Sequence, residues 1–196
     1  MTSRMRIRIA VLAAAVLVAA LVTFRLVSRL DPAVNTGPLG NGGTAGGICS
    51  AIAPGQVDSW GITYLGNTGS SDVVIEKIAL VKPRNLRLVA SYVVPITGFR
   101  EYGDNFGYPP APYQPGVDWP RHTLAAGTHL PPAHGQDHAD LVTVLKPSGG
   151  PVAEAQAIDV FYQAGGINYE MQTHYRFVFL VGQKSCPGNW PSKYPG

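Results

Sequence analysis

The chain has 196 residues, 45% of them hydrophobic and 14% charged, with 23 Gly and 17 Pro. That Gly and Pro load argues against an all-helical protein, and the apolar content argues against a wholly disordered one. The net charge of +3 is unevenly spread: residues 1–48 carry five Arg against Asp31, giving +4, and residues 49–196 carry −1. The folded part therefore has no basic face of the size nucleic acid needs, and nucleic-acid binding is set aside.

Residues 9–24, IAVLAAAVLVAALVTF, hold sixteen positions with Thr23 the only polar one. As a helix they span about 24 Å, which Leu26, Val27 and snorkelling Arg8 and Arg25 extend toward the thickness of a hydrocarbon core. Three Arg precede the run and two follow it, so the positive-inside rule keeps the N-terminus cytoplasmic. Residues 1–30 read as a cytoplasmic stub and a single-pass signal-anchor in the cell membrane. A cleaved secretory signal is the alternative, but its best-placed site puts Leu26 where a small residue is wanted. Either reading exports the rest of the chain.

Residues 31–48 are Gly-rich with few apolar side chains, the composition of a flexible tether. Residues 49–196 then form the extracytoplasmic domain. Cys49 and Cys186, the two cysteines of the chain, bracket it. In an oxidising compartment such a pair predicts a disulfide that sets the first and last strands side by side.

Within the domain the period is two. In 57–67, Trp60, Ile62 and Tyr64 alternate with Ser59, Gly61 and Thr63. VVIEKIALV (73–81) follows after a Gly/Asn/Ser turn. LRLVASYVV (86–94) places Leu86, Leu88, Ala90, Tyr92 and Val94 on one face and Arg87, Val89, Ser91 and Val93 on the other. Further strands are expected at 139–146, 157–164 and 168–181, the last two joined by a Gly165-Gly166 hairpin. In the last strand Tyr169, Met171, Thr173, Tyr175, Phe177 and Phe179 should point inward. Short candidates near Cys49 and around His122–Leu130 bring the expected count to seven or eight. Many short strands without intervening helices predict a mainly β domain, an antiparallel β-sandwich that is Ig-like in the broad sense.

The segments IEKIALVKPRNLRLVASYVVPI and IDVFYQAGGINYEMQTHYRFVF, behind an Arg-rich anchor and a Gly-rich tether, resemble those of uncharacterised actinobacterial envelope proteins. The resemblance covers roughly residues 57–181. It implies a small exported sandwich, and no activity.

Two stretches carry candidate chemistry. Segment 98–121 holds six of the eighteen aromatics, Phe99, Tyr102, Phe106, Tyr108, Tyr113 and Trp119, among five Pro and four Gly. It reads either as a binding surface for an envelope protein or surface polymer, or as a lid over an open end of the sandwich. His122, His129, His134 and His138 lie close together beside Asp137 and Asp140, a pattern that could hold Cu(II) or Zn(II) or be solvated loop histidines. No nucleophile elbow, phosphate loop or dinucleotide fingerprint occurs, so the expected function is a non-enzymatic binding module of the envelope.

Overall fold

The computed structural model describes residues 33–41, 46–97, 103–106, 119–133 and 137–188. The expected anchor helix at 9–24 lies outside them. Among the described residues there is no α-helix, and no helix is long and apolar enough to cross a membrane. The chain is mainly β.

The strands are β1 (Ala33–Val34), β2 (Leu39–Asn41), β3 (Gly46–Ile52), β4 (Asp58–Asn67), β5 (Val73–Val81), β6 (Leu86–Thr97) and β7 (Gly103–Phe106). After a 3₁₀ turn at Trp119–Arg121 come β8 (Thr123–Leu124), β9 (His129–Leu130), β10 (Asp137–Pro147), β11 (Val152–Ala155), β12 (Ala157–Ala164), β13 (Ile167–Gln172) and β14 (Tyr175–Val181). One sheet runs β1-β13-β12-β5-β9 and a second runs β2-β4-β10-β6-β8, with β7 also on β4. The third runs β11-β14-β3. Most pairings are antiparallel, but β1 pairs parallel to β13 and β3 parallel to β14.

All three sheets feed one core. Trp60, Leu65, Val93, Leu141 and Leu145 come from the second sheet, Ile75, Ile158, Val160 and Tyr162 from the first, and Ile52, Ala153, Phe177 and Phe179 from the third. Each large side chain removed from water here stabilises the fold by about 2 kcal/mol. A smaller cluster, Tyr92, Val94, Val142 and Val144, lies on the opposite face of the second sheet, with Val57, Ala90 and Trp119 packed on it.

The periodicity locates the strands, while bulges change which residues share a face. Leu145 pairs with Leu88 and Val144 with Ala90, so Val89 is an extra residue on β6. Leu86 and Leu88 therefore enter the main core, and Ala90, Tyr92 and Val94 turn to the other face. The expected single face of five is split, and Val93 joins Leu86 inside. Likewise Ile62 is skipped between Thr63↔Leu141 and Gly61↔Val142, which places Trp60 and Tyr64 on opposite faces of β4.

The strand expected at 168–181 is two. It breaks at Thr173, whose buried hydroxyl accepts from the Ile158 amide at 2.9 Å while its own amide donates to the Ile158 carbonyl. The chain leaves the first sheet there and enters the third. The Gly165-Gly166 turn is as expected, with both glycines at positive φ and Ala164 paired with Ile167.

Paired strands also stand where composition predicts a tether. β1 lies on β13, β2 on β4, and the start of β3 on β14. The backbone between β1 and β2 rests on aromatic rings, and only glycine permits this at position 37. A Cβ there would fall 2.6 Å from Cδ1 of Tyr169. The Leu39 amide donates to the Tyr162 hydroxyl at 3.3 Å, and the Gln172 amide donates to Asn35 Oδ1 at 2.9 Å.

Cys49 and Cys186 are disulfide-bonded, their Cα atoms 6.1 Å apart across 137 residues of sequence. The bond ties the segment after β14 to β3, the strand beside β14. As expected, the first and last long strands of this part of the chain are neighbours.

Candidate functional site

Between β6 and β10 the chain crosses from one sheet to another. β8 pairs with β6 in the second sheet and β9 pairs with β5 in the first, so residues 119–133 form a strap over the edge. Local chemistry fixes its turn. Gly127 adopts φ 85°, its amide donates to the Ile75 carbonyl at 2.8 Å, and the Thr128 carbonyl accepts from the Ile75 amide at 3.0 Å. Ala125, fully buried, donates to Ser91 at 2.9 Å, and Thr128 Oγ1 donates to the Leu124 carbonyl at 2.6 Å.

Past the strap, Asn67 holds the chain to the end of β4. Its Nδ2 donates to the Leu130 and Ser71 carbonyls at 2.8 and 2.9 Å, its Oδ1 accepts from the Gly69 amide, and its own carbonyl accepts from the Ala133 amide at 2.8 Å. With every polar atom engaged, this side chain is the pin of the strap.

Strap and sheet border a half-open cavity of about 660 Å³. Leu65, Val93, Pro95, Ile96 and Ala139 form an apolar wall from β4, β6 and β10, and Leu130, Pro131, Pro132 and Ala133 face them from the strap. The polar lining is Asn67, Arg121, Thr123, Thr128, His129 and His138. No carboxylate lines the cavity among the described residues. Its size falls within the roughly 300–1,000 Å³ of small-molecule sites, and a mostly apolar lining with a few polar groups is their usual make-up.

The histidines separate here. His129, well exposed, lies 4.0 Å from Asp72, an exposed carboxylate outside the cavity. The His138 ring packs on Tyr64 with centroids 4.3 Å apart, and burial pushes the Tyr64 phenol up. His122 stacks on Trp119, centroids 4.3 Å apart and planes within 9°, and meets Tyr92 edge-on. Its Nδ1 faces the Trp119 carbonyl at 2.7 Å, and because a carbonyl only accepts, Nδ1 carries the proton. His134 lies outside the described residues. Among those described, no three His, Cys, Asp or Glu side chains are grouped to hold a metal.

Of the six aromatics, Phe99, Tyr102, Tyr108 and Tyr113 lie outside the described residues. Phe106 ends β7, and its side chain is likewise not described. Trp119 is half-buried against Tyr92 on the outer face of the second sheet. The cavity lining thus contains His129 and His138 and none of the described aromatics proposed for binding. Arg121, Thr123, Thr128 and Asn67 carry no motif, and only the topology brings them together.

A separate polar cluster lies in the core. Asp58, fully buried, accepts from Ser50 Oγ at 3.1 Å, Trp60 Nε1 at 3.0 Å and the Ser59 amide at 3.0 Å. It fixes the indole whose ring meets Phe177 edge-on.

No protein-family model matches the chain, and no curated protein matches it. Among solved structures, that of the Vibrio cholerae VesB protease matches at 10% identity and a TM-score of 0.33, over 74% of this chain and 32% of that one. The chain spans about a third of that protein's length, and a likeness at this level carries no argument about activity.

Proposed function

We propose that this chain is an exported, membrane-anchored β-sandwich module that binds a small ligand in the cavity under the strap and does not convert it. The observation that carries this reading is the pocket: an apolar wall from three strands, bordered by a pinned crossover that places a guanidinium, imidazoles and hydroxyl groups on one side. The apolar run at 9–24 and its flanking Arg support anchoring with the domain outside the cell. Protease added to spheroplasts then digests the domain, and a domain that survives until the membrane is opened overturns the topology.

Native mass spectrometry of the full chain isolated from cell envelopes tests the binding reading. A small-molecule adduct on the parent, absent from Thr123→Trp, is expected, because Thr123 lines the cavity and is exposed enough to carry an indole. An adduct equal on both proteins, or on neither, contradicts it. Copper or zinc capture is the rival reading, favoured by the presence of both His129 and His138 on one cavity. It requires a calorimetric isotherm that the His129→Ala, His138→Ala double variant loses.

A further inference from the structure

We propose, resting on the cavity and anchoring readings above, that the ligand is a lipid of the membrane in which the chain is anchored, one acyl chain lying along the apolar wall. β1 runs parallel to β13 with Ala33 opposite Tyr169, so the chain before Ala33 leaves past Ile167 and the Gly165-Gly166 turn. The same register sets Ala164 opposite Ile167 and Val73, and Val73 opposite Leu130. Asn67, which ends β4, bonds to Leu130, and Leu65 and Pro95 both pair with Ala139 at the start of β10. The cavity therefore lies at the end of the domain where the N-terminal segment enters. In sequence the apolar run ends at Phe24, and only the eight residues 25–32 separate it from β1. Fully extended they reach at most about 30 Å, whereas β10 runs for about 37 Å from its cavity end at Asp137 to Pro147. The anchor thus holds the cavity end toward the bilayer. Ile167, an exposed apolar side chain, stands at that same end.

Much of the polar lining is spent on the strap itself. Asn67 is saturated, the Thr123 and Thr128 hydroxyls lie 2.9 Å apart with Thr128 donating onward to the Leu124 carbonyl, and His129 faces Asp72 at 4.0 Å. Val93, Pro95, Ile96 and Leu130 offer hydrocarbon to a ligand. An acyl chain gains with each methylene it removes from water there. Because the cavity is half-open, the headgroup stays outside in the interfacial water whatever its charge.

The test reconstitutes the full chain in phosphatidylcholine vesicles that contain a phosphatidylcholine with a diazirine at the end of one acyl chain. After illumination, adducts are mapped by peptide mass spectrometry. They are expected on 9–24 and, as a second set, on 93–96 and 124–133. Thr123→Trp and Pro131→Trp, both at exposed lining positions, should each cut the second set severalfold and leave the first unchanged. A second set that neither variant reduces marks contact of the strap with the bilayer surface and overturns the proposal. Adducts on 9–24 alone, with a water-soluble adduct still seen on the parent by native mass spectrometry and lost from Thr123→Trp, overturn the lipid assignment while the cavity reading stands. Adducts on 9–24 alone, with no native adduct, overturn both. No adduct on 9–24 overturns the anchoring, and the proposal with it.

Discussion

At the scale of single residues, two carboxylates make opposite contributions. Asp58 has taken up the Ser50 hydroxyl, the Trp60 indole N–H and a backbone amide. Asp58→Ala orphans two buried side-chain donors, and the expected loss is about 3 kcal/mol, read as a lower urea midpoint with an unchanged slope. Glu170 stands against the fold. Burial first, and the neighbouring Asp159 second, hold its carboxyl above the ordinary value of 4.5. The folded state then binds that proton more readily than the unfolded one, so the ionised group is a penalty above this range that disappears as pH falls through it. Glu170→Gln should therefore melt higher than the parent at neutral pH, with the gap closed by about pH 4. A gap that widens toward acid would contradict the assignment.

At the scale of elements, the N-terminal arm offers the clearest prediction. Gly37→Ala drives a methyl against the Tyr169 ring and the Tyr162 hydroxyl. Release of 33–41 from β13 and β4 should result, seen as faster hydrogen exchange at the Leu39 and Gln172 amides while amides of β10 and β12 keep their protection. Composition predicts this stretch to be a tether because glycine carries no pattern. What holds it is ring contact and backbone pairing to β13 more than a hundred positions away, and pairing to β4 beyond an intervening strand and turn, neither of which local sequence encodes. Strand positions such as 73–81 and 157–164 are legible because alternation and turn residues are local signals. The faces of β4 and β6 are not, since a single bulged residue, Ile62 or Val89, reverses the alternation without any mark in composition. The cavity is legible only in part. His129 and His138 stand out as members of a cluster, but Asn67, Arg121 and Pro95 acquire a role only when the strap crosses the sheets.

At the scale of the whole molecule, the disulfide closes nearly the entire domain. On the chain-entropy model a loop of this size stabilises the fold by up to about 5 kcal/mol, and reduction should lower the melting temperature accordingly. An identical melt with and without reductant, after mass spectrometry has confirmed that the bond is broken, would contradict that role. The central claim is that the cavity under the strap is where this molecule holds its ligand. Its most direct test is photo-crosslinking in intact cells, with a benzophenone side chain installed at Thr123 on the cavity or at Lys184, exposed and away from it. A small-molecule mass adduct captured at position 123 and absent at 184 is the expected result; no capture at 123, or equal capture at both, would contradict the claim.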